Sequence, residues 1–323
     1  MNEMQNNKHF LETHRLPQSY LETARCYFDP LVKAIAAVSK ERQAKPLLVS
    51  LSGCQGSGKS TLADYLCYSL TMQGIHAISV SLDDFYLSKI EREERSQTVH
   101  PLFRTRGVPG THNTQRLIDT LLRAKEGKLG GLAIPQFDKS CDDLFPESEW
   151  VTVADSPEVF ILEGWCMGAE AQDQSEMLVA CNDFEATMDS EGHWRQSVNE
   201  YLKADYHMIN SLFDLQLFLK APSFESVFEW RLEQEEKLLQ KLSDSRDGSQ
   251  AGDQQPRGMS KEQVRQFIQY YQRITEHLLS NFAPKADVVW ELDHQRNIVS
   301  LTVSEKLQKY MPYNKNELER KVD

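Results

Sequence analysis

The chain has 323 residues, with 36 Lys and Arg against 48 Asp and Glu, a net charge of −12 and 40% apolar side chains. These proportions exclude a disordered or fibrous chain, and at this length roughly 75% of the unfolded surface is buried on folding, so neither disulfides nor a structural metal is required. The acidic balance disfavours nucleic acid and anionic lipid as partners and points to a small molecule. No window approaches the ~20 apolar residues of a membrane span, and MNEMQNNKHFLETHRL lacks the apolar stretch of a signal peptide, so a cytoplasmic location is expected. Cys26, Cys54, Cys67, Cys141, Cys166 and Cys181 form no CxxC pair and are expected to be reduced thiols.

The first 45 residues read as a helical lead-in, with Asp29 as a cap, Pro30 at the first helical position and LVKAIAAVSK at helical spacing, ending at Lys45 and Pro46. LLVSLSG, HAISVSL and EVFILEG follow as short, nearly continuous apolar runs separated by helical stretches. That is the pattern of strands buried on both faces of a parallel sheet, an α/β fold with helices on either side. LQLFLKAP (Leu215 to Pro222) and ADVVWEL (Ala286 to Leu292) extend the expected core to five strands. Ser243 to Gly258 is almost devoid of apolar residues and is expected to be a mobile loop. Beyond it, Ser260 and Gln263 form a capping box and Met259 can staple onto Val264. Val264, Phe267, Ile268, Tyr271, Ile274, Leu278 and Phe282 then recur at helical spacing as an ordinary core stripe.

The strongest signal is Gly53-Cys54-Gln55-Gly56-Ser57-Gly58-Lys59-Ser60, which satisfies every position of G-x-x-x-x-G-K-[ST] between a predicted strand and a predicted helix. Glycines allow backbone N–H groups to wrap a phosphate, and the following helix presents its N-terminal dipole to it. Lys59 is expected to neutralise the β- and γ-phosphates, Ser60 to reach a Mg²⁺ ion and Thr61 to meet the α-phosphate. Cys54 lies within the loop, but a variable position that happens to be Cys explains it better than a redox switch does.

Carboxylates follow at the strand ends, where open α/β sheets bind ligands. In SLDDFYL, Asp83 is the first candidate for the base that accepts a hydroxyl proton, Asp84 is its rival, and a turn or capping pair is the bland alternative. Glu163 ends VFILEGW and is expected to share the Mg²⁺ with Ser60. In SFESVFEWRLEQEEKL, Ser223 can cap a helix whose inward face carries Phe224, Val227, Phe228 and Arg231. Arg231 either faces the active site as a mobile cation or forms an ordinary helix pair with Glu235.

Taken together, GCQGSGKST, SLDDFYL, RGVPGTH, IPQFDKS, ILEGWCMG, VNEYL, EWRLEQE and MSKEQVRQFIQYY resemble, in order from about Pro46 to Asn297, the P-loop kinases related to uridine kinase, phosphoribulokinase and pantothenate kinase. Within them the chain resembles the plant and fungal type of D-glycerate 3-kinase and its bacterial relatives. The resemblance implies a P-loop kinase domain over 46–323, with a lid and mobile loop at about 223–260, Asp83 as general base and Arg231 in the lid. It also implies that RGVPGTHN and IPQFDKS line the acceptor pocket. Arg106, His112 and Lys139 suit a small carboxylate there, and Tyr86 is grouped with them as an acceptor-binding residue. The structural alternatives are that His112 caps the helix near Thr114 and that Lys139 pairs with Asp138 or Asp142. Asn113 replaces the Asp of the plant-type enzymes, and CDDLFPESEW replaces their Gly- and Arg-rich stretch.

The expected activity is Mg·ATP-dependent phosphorylation of a hydroxyl on a small acceptor, D-glycerate first. Pantothenate or a nucleoside is the alternative acceptor. A nucleotide-dependent interaction protein is the alternative class, disfavoured because the nearest approach to a guanine-reading NKxD block is NKNE, Asn314 to Glu317. Asp293, Arg296 and Asn297 are candidate adenine contacts by position alone.

Overall fold

The computed structural model of the chain describes residues 3–42, 45–244 and 258–311. Its central sheet is built from β1 (Leu47–Gly53), β2 (Ala77–Ser81), β3 (Val159–Gly164), β4 (Leu215–Lys220), β5 (Val288–Leu292) and β6 (Ile298–Val303), in the order β6-β5-β4-β1-β3-β2. The five expected strands run parallel, and β6 adds an antiparallel edge that the sequence reading missed. Every residue of β1 and β3 is buried, which accounts for their unbroken apolarity. The edge strand β6 instead alternates buried with exposed positions, so Ser300 and Thr302 dilute its signal.

Because side chains alternate across a strand, the sheet separates two cores. Leu47, Val49 and Leu51 face one with Val159, Ile161 and Leu217, while Leu48 faces the other with Phe160, Leu162 and Phe218. The first core is covered by α2 (Asp29–Glu41), which follows α1 (Glu3–His14), and by α3 (Lys59–Met72). Phe10, Phe28, Leu31 and Ile35 from the lead-in are buried in it. Asp29 does not cap α2: the chain before it is already helical, through a π turn at Ala24–Phe28, and the Asp29 carboxylate accepts from Tyr65 Oη at 2.7 Å instead.

The connection from β2 to β3 carries α4 (Lys89–Thr98), α5 (Thr114–Lys125) and two short antiparallel ladders, Phe137–Asp138 with Asp143–Leu144 and Ala133–Ile134 with Val151–Thr152. After β3 come α6 (His193–Tyr201), α7 (Phe224–Asp244) and α8 (Lys261–Asn281). Ser223 accepts from Ser226 N, as a cap for α7 requires. The Ser260–Gln263 capping box opens α8, and Met259 packs on the core that buries Val264. Most of the expected mobile stretch from Ser243 to Gly258, and all of NKNE, lies outside the described residues. No helix among the described residues is long and apolar enough to cross a membrane.

Candidate active site

Strand register brings the candidate groups to one edge. Glu163 is paired in register with Leu51 of β1 and with Ser81 of β2, so the end of β1, the end of β3 and the turn after β2 lie side by side. Gly53 closes β1, and the chain then turns through Gly56 and Gly58, at φ 79° and 89°, into α3 at Lys59. These left-handed values favour glycine. A Cβ at Gly56 would also lie 2.6 Å from Trp230 Cβ, so α7 backs the loop directly.

Lys59 Nζ lies 3.8 Å from Glu163 Oε2, and Ser60 Oγ donates to Glu163 Oε1 at 2.9 Å. Thr61 follows in the first turn of α3. Glu163 Oε2, Ser57 Oγ and Gln55 Oε1 are buried without a hydrogen-bond partner in the described structure. Buried oxygens of this kind call for a cation or a donor. Ser60 and Glu163 thus supply a hydroxyl and a carboxylate to one point, a donor set suited to Mg²⁺, which takes one or two protein oxygens and fills the rest of its shell from phosphate and water. Cys54 is buried, and burial pushes its thiol up to about 12 against the pull of Lys59, so it is not a reactive thiolate.

Arg296, a candidate adenine contact by position, lies in the hairpin between β5 and β6 and is engaged with the loop and α7. Its Nε donates to Gly56 O at 2.7 Å, its Nη2 meets Glu233 Oε2 at 2.6 Å, and its guanidinium lies 5.1 Å above the Trp230 ring. Asp293 and Asn297 bond to each other across the same turn. These residues shape the hairpin and brace the phosphate loop.

Past β2, Ser81 Oγ accepts from Asp83 N and caps the short turn Leu82–Phe85, which frees the aspartates from that duty. They then diverge. Asp83 Oδ2 receives Lys139 Nζ at 2.6 Å. Burial alone would raise its carboxyl, but Lys139 and then Lys59 hold it below the usual carboxylate range, so it is ionised near neutrality. Asp84 accepts from Phe137 N at 3.2 Å, and burial lifts its carboxyl to about 6. It lines a cavity of 370 Å³ with Tyr86, Arg116 and Trp150. Asp84 therefore anchors the Phe137 ladder, and Asp83 is the carboxylate beside the phosphate loop.

The remaining acceptor candidates surround Asp83 in different ways. Lys139 makes neither of the alternative pairs with Asp138 or Asp142, because Asp138 is engaged by Ser140 and Asp142 by Arg106 and Arg92. Tyr86 is buried, its phenol is raised by burial and by the nearby charge of Asp83, and its ring stacks on His112 at 4.4 Å. His112 does not cap the following helix: Asn113 does, accepting from Arg116 N at 3.0 Å. Arg231 forms the helix pair with Glu235, at 2.7 Å, and lies over Phe267. Two residues absent from the sequence reading complete the surroundings. Arg92, 1% exposed, ties Leu87 O, Arg104 O and Asp142 O together behind Arg106, and Tyr206 bonds His112. Neither lies in a motif, so only spatial proximity reveals them.

A mostly parallel sheet whose first strand runs into a phosphate loop, with a carboxylate at the end of the neighbouring strands, defines a P-loop nucleotide-binding fold. D-glycerate 3-kinase from Cryptococcus neoformans var. grubii has a similar fold, with a TM-score of 0.66 over 85% of this chain and 98% of that one, at 22% identity. In sequence, the chain is 32% identical over 237 residues to the uncharacterized kinase mug58 of Schizosaccharomyces pombe, covering 71% of this chain and 79% of the relative. The chain belongs to that family of P-loop small-molecule kinases. The chloroplastic D-glycerate 3-kinase of Arabidopsis thaliana is 26% identical over 234 residues, 70% of this chain and 46% of that protein, so the match spans about half of that relative. No family model matches the chain.

Proposed function

We propose that the protein uses ATP to phosphorylate a hydroxyl of a small carboxylate-bearing acceptor, with D-glycerate the first candidate. The observation that carries this reading is Asp83, ionised at the sheet edge and held between the phosphate-loop cation Lys59 and the acceptor-side cation Lys139. Asp83 accepts the proton of the attacking hydroxyl and steers it in line with the γ-phosphate, while Lys59 offsets charge on the phosphates. Lys139 and Arg106 supply cations for the acceptor carboxylate, which holds the hydroxyl beside Asp83. Ser60 and Glu163 would hold Mg²⁺, which supplies charge neutralisation of the phosphates when bound. Arg231 joins this set only by leaving Glu235.

A panel of D-glycerate, glycerol, pantothenate and nucleosides, followed by ADP release, tests the acceptor. D-glycerate should stimulate release and glycerol should not. Asp83→Asn should lower turnover by orders of magnitude with nucleotide affinity nearly intact, and unchanged turnover in that variant would refute the assignment.

A further inference from the structure

His112 is 2% exposed, with its ring face on Tyr86 and its edge toward Tyr206, whose ring stands at 70° to it. Nδ1 lies 2.5 Å from Tyr206 Oη, and Nε2 is buried with no partner among the described residues. Burial lowers the imidazole to about 4, so near neutrality the ring is neutral and one nitrogen alone carries a proton. Burial also holds the Tyr206 phenol protonated.

Hydrogen-bond accounting then selects the tautomer. Were the proton on Nδ1 and donated to Tyr206 Oη, the phenolic hydrogen would lack an acceptor and the Nε2 lone pair would lack a donor. Both would be buried and unsatisfied, an arrangement native interiors avoid. With Tyr206 donating to Nδ1, one group is left over, an Nε2–H. Tyr86 stacks on His112 at 4.4 Å and Asp83 acts electrostatically on both rings, so the imidazole with this unpartnered N–H lies in the neighbourhood of the base. Tyr206 ends a π turn, Leu202–Tyr206, a local geometry frequent at functional sites. Its neighbour Asp205 accepts from Thr114 Oγ1 at 2.5 Å, which fastens the turn to the segment bearing His112.

We infer that Tyr206 is a positioning residue that donates to His112 Nδ1 and thereby fixes a neutral Nε2–H as the donor to an oxygen of the acceptor molecule. The inference rests on the reading of this pocket as the acceptor site. It names what the pocket selects: an acceptor with a carboxylate or carbonyl oxygen next to the reacting hydroxyl, bound without a further protein charge.

Long-range ¹H–¹⁵N spectra of the ¹⁵N-labelled full chain, with His112→Gln for assignment, read the tautomer directly and without turnover. The expected result is protonated Nε2 and unprotonated Nδ1; a proton on Nδ1 overturns the inference. Tyr206→Phe should mix the two tautomers and lower kcat/KM for the acceptor roughly tenfold, the worth of one hydrogen bond, with the KM for ATP unchanged. A Tyr206→Phe protein with wild-type acceptor kinetics also overturns it. His112→Gln, whose amide matches Nε2, should retain more acceptor activity than His112→Asn, whose amide matches Nδ1; the reverse order counts against the inference. If the wild type phosphorylates no acid in the panel, the functional reading fails, while the spectra still decide the tautomer.

Discussion

Replacing Arg296 with Met tests how the phosphate loop is held in shape. The substitution keeps an apolar stem beside Trp230 and removes two contacts, the 2.7 Å bond from Nε to Gly56 O and the 2.6 Å ion pair with Glu233. A hydrogen bond from a charged donor is worth about 1.5–3 kcal/mol when well buried. Arg296 is only partly buried, so the lower end applies, and the half-exposed pair with Glu233 adds little because water screens it. The net loss is about 1–2 kcal/mol, a factor of 5–30 in equilibrium. Gly56 lies within the loop proposed to wrap the phosphates, so on that reading the loss should appear in nucleotide binding. Titration calorimetry with Mg·ATP should give a Kd raised by that factor, and the KM for the acceptor at saturating ATP should stay put. Glu233→Gln is the control, since it breaks the ion pair and spares the Gly56 bond; its Kd should move less than twofold. Wild-type nucleotide affinity in Arg296→Met, or equal losses in the two variants, would refute the argument.

Three further outcomes follow from the same geometry. Asp83 is held below the usual carboxylate range chiefly by Lys139, against its own burial, so the acidic limb of kcat/KM should lie below that of an ordinary aspartate; Lys139→Met removes that cation, leaves the burial, and should move the limb to higher pH, which a pH–rate profile measures. Gly56→Ala forces a side chain into φ 79° and against Trp230 Cβ, so it should cost roughly 1–3 kcal/mol in urea unfolding together with nucleotide binding; full stability would show that the loop shifts freely. Asp189 accepts from Trp194 N, from Arg195 N and from the buried Arg195 guanidinium at 3.0 Å. Asp189→Ala strands that cation and should lower stability by about 3–5 kcal/mol in chemical denaturation, far more than a surface substitution does.

What could be read in advance was what is local in the chain. The phosphate loop, the strand that feeds it and the carboxylates at strand ends depend on neighbours in sequence, and the structure keeps that arrangement. Burial on both faces marked the five parallel strands, whereas β6, one side of which meets water, carried a signal diluted by Ser and Thr. Asp29 looked like a cap because a cap is recognised by residue type, yet a π turn had already started the helix before it. The contacts that decide the site join residues far apart: Lys139 to Asp83 over 56 positions, Tyr206 to His112 over 94 and Arg296 to Gly56 over 240. No periodicity encodes such pairs. The sequence neighbours that could pair with Lys139, Asp138 and Asp142, are both engaged elsewhere.

The single crossover between β2 and β3 bears Tyr86, Arg106, His112 and Lys139, while the triphosphate end is written into strand termini locked by register. The proposed acceptor side and the proposed nucleotide side are therefore carried by different parts of the chain. On the proposed assignment, changes within this one connection would alter which alcohol is accepted while leaving the loop and strand ends that meet the nucleotide in place.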